Sequence, residues 1–562
     1  MGIDPSLAAQ VAQMIVVRAS GHLFDHQIQY PTWEPPNVTL NHWVQDLNIG
    51  GVIFLGGSAA EMGLRTQQLQ DLATTPLLMA ADIEEGVGQR FAGATWFPPP
   101  MAIAHIARHD LKKAIAYAEA MGVATAQEAV AVGLNWVLAP VVDVNNNPDN
   151  PVINVRAFGD DPTIVSQLAT AFIQGTKSFP VLTSAKHFPG HGDTATDSHL
   201  DLPVLSHSEE RLRQVELPPF KAAIAAGVDT IMSAHLQLPS LDPIAPATLS
   251  PKILTQLLRH ELGFDGLITT DALVMGAIAN RYGTNEAAVL AVEAGADILL
   301  MPADPEGAIQ AVCTAVETGR ISLERIQSSF DRIRWAKQGI GTLHPASDSS
   351  TTHAWENIPP PPVQLDRLGQ PQIRKAAIAI LQEAMNSHVP QPLTKVPLGK
   401  NIILIDNSLD CDFLSMNADA IAVPKSYGYR DISLYDQHSP TFKIPMGSQG
   451  CHGSEMLQPP SSSVAIQSAI SNPPVLLQLF VRGNPFRGSA GLTDLATHLL
   501  DELLASQSLS AIALYGSPYL WDSIQPQLPP DLPHVFTYGQ MPMAQTLVMQ
   551  KLFVEFQLGR RD

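Results

Sequence analysis

The sequence predicts an α/β protein: a (β/α)8 TIM barrel followed by a second, smaller α/β domain built on an open sheet. Three observations carry this expectation. Residues 1–342 hold eight short apolar runs separated by segments of helical character. A stretch rich in Pro, Ser and Thr then interrupts the pattern, and further apolar runs follow it. At 562 residues the chain also exceeds what one hydrophobic core usually spans.

The eight runs are MIVVRA (14–19), GGVIFLG (50–56), PLLMAAD (76–82), NWVLAPVVDV (135–144), VLTSAKHF (181–188), DTIMSAH (229–235), GLITTDAL (266–273) and ADILLMP (296–302). They are short, often β-branched and mostly not alternating, as strands covered on both faces should be. Helices are expected over 110–131, 162–177, 208–226, 251–262, 284–294 and 305–318, where Ser250 followed by Pro251 reads as an N-cap with proline at the first helical position. A doubly wound sheet is the structural alternative. Residues 343–372 read as a linker, since the prolines at 359–362 cannot join a helix or sheet interior. Over 373–562 a helix around 372–386 precedes candidate strands at 401–407, 420–424 (AIAVP), 475–480, 511–516 and 535–539. This part shows no Gly-rich phosphate fingerprint and no cluster of titratable residues, so a structural or interaction role is expected of it.

Charge narrows the function. Lys and Arg total 33 against 53 Asp and Glu, a formal net charge of −20. Such a surface repels nucleic acid and anionic membranes and suits a small neutral ligand. The three cysteines (Cys313, Cys411 and Cys451) fit no metal or disulfide spacing and point to a reducing compartment. The first residues, MGIDPSLAAQVAQ, lack a basic segment followed by a long apolar one, and no run approaches about 18 apolar residues. A cytoplasmic protein without a membrane span is the expectation.

In a barrel of this kind catalytic groups sit where strands end and the following loops begin. Here those positions are charged: Asp82 ends the third run, Asp143 and Arg156 follow the fourth, Lys186 and His187 close the fifth, His235 the sixth and Asp271 the seventh. Any one of them alone is as readily a structural strand-end residue. Their shared face is the signal.

The segment 186–203, KHFPGHGDTATDSHLDLP, packs Lys186, three His and three Asp behind one strand. Pro189, Gly190 and Gly192 forbid a helix, which removes the geometry His187 and His191 would need as a metal pair. Asp197 and His199 lie two apart, so on extended chain their side chains can share one side. A carboxylate there fixes the imidazole tautomer and makes the ring a proton shuttle near neutral pH; an ordinary loop hydrogen bond is the plain alternative. In ITTDALVMGAI (268–278), Asp271 is flanked by Thr269, Thr270 and Ala272, which leave room for a carboxylate to attack an anomeric carbon. A salt-bridged rim residue is its plain alternative.

These motifs carry a resemblance. KHFPGHGDTATDSHLDLP, NWVLAPVVDVNNNPDNPVINVRAFGDDP (135–162) and TTDAL resemble the signatures of the β-N-acetylhexosaminidases of glycoside hydrolase family 3, the NagZ-like group, over roughly residues 8–340. The resemblance implies a barrel enzyme that removes terminal non-reducing β-linked N-acetylglucosamine with retention, through a covalent intermediate. It implies Asp271 as nucleophile and His199, partnered by Asp197, as general acid/base on a mobile loop; beside the resemblance, the backbone freedom of Gly190 and Gly192 can let the dyad swing in after the sugar binds. Lys186 and His187 align with binders of sugar hydroxyls, Arg156 with a contact near the acetamido side, and Asp82 and Arg90 with the binder of the distal hydroxyls and its neighbouring arginine. His235 and Met275 are candidate pocket-lining residues. The segment DIEEGVGQRF (82–91) departs from the group's pattern at Ile83, Glu85 and Val87, which leaves the fine substrate preference open. No metal or organic cofactor is implied, and a monomer is expected. Muropeptides from peptidoglycan recycling or chitin oligosaccharides are the expected substrates. An N-acetylglucosaminide phosphorylase and a β-glucosidase of the same family are the alternatives. A catalytically inactive sugar-binding protein is the non-enzymatic one.

Overall fold

The computed structural model describes residues 6–194, 202–340, 362–406, 411, 413–436, 439, 473–482 and 490–553. The chain divides into one compact unit over Met1–Ile380 and another over Leu381–Asp562.

The first unit is the barrel. Its strands are β1 (Ile15–Ser20), β2 (Gly51–Leu55), β3 (Leu78–Ala81), β4 (Trp136–Val137), β5 (Leu182–Phe188), β6 (Thr230–Ser233), β7 (Leu267–Thr269) and β8 (Leu299–Leu300). All neighbours pair in parallel, in the order β7-β6-β5-β4-β3-β2-β1-β8. The sheet closes where Thr269 pairs with Ile298 and Thr270 N donates to Ile298 O at 3.1 Å. All eight expected runs are strands. Every residue of β1, β3, β5 and β6 is buried, which is why these segments read as continuous apolar runs.

The intervening helices begin where the sequence places capping side chains. Asp161 Oδ1 accepts from the N–H groups of Thr163 and Ile164 at 2.8 and 3.0 Å, with Pro162 opening the helix. Ser250 Oγ accepts from Ile253 N at 3.3 Å as its spacing predicted. The helix expected over 208–226 is two, Glu209–Gln214 and Leu217–Ala225, because Pro218 and Pro219 restart the chain.

Buried charge at the N-terminal end of the barrel serves stability. Asp297, just before β8, is wholly buried. It accepts from Arg259 Nη2 at 2.6 Å, Ser329 Oγ at 2.6 Å and Ile268 N at 3.0 Å. Part of the expected linker is also tied to this unit. Gln364 N donates to Ala131 O and Gly369 N to Glu128 Oε1, both at 2.8 Å. The rest of that stretch, 343–361, lies outside the described residues. No described helix is long and apolar enough to cross a membrane.

The second unit is an open sheet of β9 (Asn386–His388), β10 (Gly399–Ile405), β11 (Tyr429–Tyr435), β12 (Val475–Val481), β13 (Leu509–Gly516) and β14 (His534–Thr537). Their order is β11-β10-β12-β13-β14-β9, parallel except for β9 against β14. Four of the five expected strands are present. The fifth is corrected: AIAVP at 420–424 lies in a helix, Asp419–Ser426. Pro424 leaves the carbonyl of Ala420 without its helical donor. Asn401 Nδ2 and Gln478 Nε2, from β10 and β12, supply that carbonyl instead at 3.0 and 2.6 Å. A helix interrupted by proline is therefore held by the sheet beneath it.

Candidate active site

The charged strand ends converge, as their positions predicted. Asp82 follows β3, and Lys186 and His187 lie within β5. Asp143 and Arg156 stand on the loop after β4, His235 follows β6 and Asp271 follows β7. On one side they form an ionic lattice. Lys186 Nζ reaches Asp82 Oδ1 and Glu84 Oε1, both at 2.6 Å. Arg156 grips the same Glu84 with two bonds of 2.8 Å, Nε to Oε2 and Nη2 to Oε1, and donates from Nη1 to Val152 O at 2.9 Å. Arg90 Nε donates to the backbone carbonyl of Asp82 at 3.1 Å.

Burial makes this lattice consequential. Lys186 is 1% exposed, and Glu84 is buried as well. Burial alone would raise a carboxyl, yet Arg156 and Lys186 hold Glu84 well below the usual carboxylate range. Burial would likewise lower an ammonium, but Asp82 and Glu84 outweigh it and raise Lys186. Both cations therefore stand charged on the wall of the cleft.

The other side is ordered by Asp143, which is fully buried. Its Oδ2 lies 2.7 Å from His187 Nδ1, and its Oδ1 accepts from His191 N at 2.7 Å. Burial again opposes charge, and His187 with its hydrogen bond prevails, so the carboxyl is lowered. An ionised carboxylate only accepts, which assigns a proton to His187 Nδ1 and leaves Nε2 for a ligand. His191 sits beside this pair with Nδ1 2.8 Å from Thr194 Oγ1, and the charge of Asp271 is felt at its ring. Burial first, then His187, pushes His191 down to about 4, so it stays neutral beside Asp271 near neutral pH.

That shift has a measurable result. In the unfolded chain the imidazole titrates near its ordinary 6.5. Above that pH it is neutral in both states and contributes no slope. As the pH falls toward about 4, the unfolded chain takes up a proton that the fold refuses, and stability is lost. The loss should reach about 3 kcal/mol. Urea midpoints at pH 7.5 and 5 should therefore differ more in wild type than in His191→Gln; equal differences would contradict this.

Asp271 is half-buried at the mouth of β7, and Ala272 N donates to its Oδ1 at 2.8 Å. His235 is wholly buried, with Nε2 3.1 Å from Ala272 O and Nδ1 2.8 Å from Thr248 Oγ1. It thus acts on the cleft through the residue next to Asp271. Met275 is 5% exposed and opens the helix Gly276–Tyr282, outside the polar lattice.

Asp197 and His199 lie outside the described residues, whose boundaries on both sides are firmly held. Asn150 Nδ2 donates to His191 O and Gly192 O, both at 2.9 Å, and Pro203 O accepts from Gln237 N at 2.9 Å. Gly190 and Gly192 serve packing here. A Cβ on Gly192 would lie 1.9 Å from Val144 O, and Gly190 adopts φ +132 against Glu216. Sequence reading placed Asp143 on this face without a role and passed over Glu84 and His191 as site residues. The one available signal was spacing: Glu84 repeats the acidic character of Asp82 two residues on.

The barrel residues 6–335 match the glycosyl hydrolase family 3 N terminal domain, and residues 393–554 match the bacterial glycosyl hydrolase family 3 C-terminal domain. The chain belongs to glycosyl hydrolase family 3. Within that family it is similar to β-hexosaminidase A of Pseudoalteromonas piscicida, 36% identical over 390 residues, 63% of this chain and 62% of that one. It is also similar to a β-N-acetylglucosaminidase/β-glucosidase of Cellulomonas fimi, 32% identical over 315 residues, 54% of this chain and 55% of that one. The matches therefore span less than two thirds of these two relatives. A family 3 β-N-acetylglucosaminidase from Paenibacillus sp. str. FPU-7 superposes with a TM-score of 0.72 at 27% identity, covering 98% of each chain. The resemblance stated from the motifs thus holds for the family and the fold.

Proposed function

We propose that this protein is a retaining, exo-acting β-N-acetylglucosaminidase. The observation that carries the reading is the meeting of a neutralised cation lattice with a half-buried aspartate on one rim of a closed barrel. Sugar hydroxyls need several charged, bidentate partners, which Asp82, Arg90, Arg156, Lys186 and His187 offer. Asp271 attacks the anomeric carbon while His199, supported by Asp197, protonates the leaving oxygen. A water activated by His199 then releases the sugar with net retention. His235 holds the Asp271 segment, and Met275 lines the pocket from the start of its helix. The Paenibacillus relative, named a β-N-acetylglucosaminidase, supports the N-acetylglucosamine specificity, and the Pseudoalteromonas relative, named a β-hexosaminidase, supports the broader hexosaminidase class. Muropeptides or chitin oligosaccharides are the natural substrates in this reading, and the cytoplasm is its place.

The Cellulomonas relative, named for both activities, keeps β-glucosides in view as a second substrate class. A neutral imidazole acid/base does not repel an incoming anion as a carboxylate would, which keeps phosphorolysis in view too. Purified protein assayed on p-nitrophenyl β-N-acetylglucosaminide and β-glucoside, with and without phosphate, separates the three. Release from the first in either buffer is expected. No release from it would overturn the proposal, and strong phosphate acceleration with sugar 1-phosphate as product would replace hydrolysis by phosphorolysis.

A further inference from the structure

Lys186 and Arg156 stand together on the cleft wall, and two adjacent cations make an anion site unless something neutralises them. Glu84 supplies that neutralisation. Its two oxygens accept three N–H donors: Arg156 Nε and Nη2 at 2.8 Å each, and Lys186 Nζ at 2.6 Å. The residue is 4% exposed, so these bonds are made away from water. Asp82 differs. It takes one bond from Lys186, and its side chain keeps 27% of its exposure. Asp82 thus meets the ligand space, while Glu84 faces the protein. The two acids and two bases sum to zero charge.

We infer that Glu84 is a positioning and selectivity residue: it locks Lys186 and Arg156 into one donor array and cancels their charge, so this wall of the cleft takes the hydroxyls of a neutral sugar and does not itself hold a small anion such as phosphate. The inference rests on the reading of this cleft as the sugar site.

Substitution chemistry separates the two halves of the role. In Glu84→Gln the amide presents one acceptor and one donor. Whichever way it turns, its NH2 group confronts an N–H of Lys186 or Arg156. One cation is released, and the cluster of Asp82, Lys186, Arg156 and residue 84 goes from zero to a net charge of +1. In Glu84→Asp the charge stays, but the carboxylate is one methylene short and cannot reach both partners.

The test measures both variants and wild type on p-nitrophenyl β-N-acetylglucosaminide and β-glucoside while inorganic phosphate and sulfate are titrated. Glu84→Gln should lose about 100-fold in kcat/KM on the acetamido sugar. It should also become inhibited by both anions at concentrations that leave wild type unaffected. Glu84→Asp should show a comparable loss without the new anion sensitivity. A merely structural role would lower both variants in proportion to the folded fraction and leave anion response unchanged; that result would overturn the inference. So would a Glu84→Asp variant with full kcat/KM. If wild type cleaves neither glycoside, the sugar reading fails by itself. Calorimetric titration of phosphate into Glu84→Gln and wild type then still decides the charge role, with binding to the variant alone supporting it and equal behaviour overturning it.

Discussion

Replacing Asp271 by alanine is expected to reduce kcat by at least about 10⁴-fold, because a retaining mechanism has no route around its nucleophile. The variant should fold and bind normally. The backbone N–H of Ala272 that now meets Oδ1 can turn to water, and His235 still clamps the Ala272 carbonyl. N-acetylglucosamine should therefore bind it as it binds wild type. The cavity left by the carboxylate also permits chemical rescue. Azide entering from that side should attack an activated aryl substrate and give the α-glycosyl azide, which product NMR identifies. A variant that keeps a tenth of wild-type kcat would remove Asp271 from the chemistry.

The second large effect belongs to His199. Loss of a general acid costs roughly 10²–10⁴-fold when the leaving group needs its proton. His199→Ala should therefore lose that much on an N-acetylglucosamine disaccharide and much less on a dinitrophenyl glycoside. With the base absent, azide should capture the glycosyl-enzyme from the opposite face and give the β-glycosyl azide. Opposite stereochemistry from the two variants assigns the two roles. Equal losses on both leaving groups would count against His199 as the acid. The described anchors, Asn150 on one side and Gln237 on the other, fix where the segment bearing His199 begins and ends.

The barrel was legible in the sequence because strands buried on both faces leave a plain trace. Each apolar run between 14 and 302 became a strand of the ring. The second sheet was less legible. AIAVP is apolar and short, which cannot separate a strand from one turn-and-a-half of buried helix, and only Asn401 and Gln478 beneath Ala420 show how the helix survives Pro424. The strand β11 escaped notice because its sequence, YRDISLY, is an edge strand with several exposed residues and no apolar run.

The site divides along a similar line. Residues that end strands in charge, such as Asp82, Lys186 and Asp271, announce themselves. Residues that hold them in place do not. Glu84 meets Arg156 across 72 positions, and Lys186 meets Asp82 across 104, so only the side-by-side pairing of β3, β4 and β5 makes them neighbours. Asp143 stood out as a charge, but its work on His187 and His191 is backbone and tautomer chemistry that spacing does not encode.

Trapping the covalent intermediate tests the central claim most directly. A fluorinated N-acetylglucosaminyl fluoride slows the second step, so the sugar should accumulate on the enzyme and be found by peptide mass spectrometry. One adduct per chain is expected, on the peptide containing residues 268–278 and assigned to the carboxylate of Asp271, with none in Asp271→Ala. An adduct on another carboxylate, or full turnover of the donor with inversion and no adduct, would contradict it.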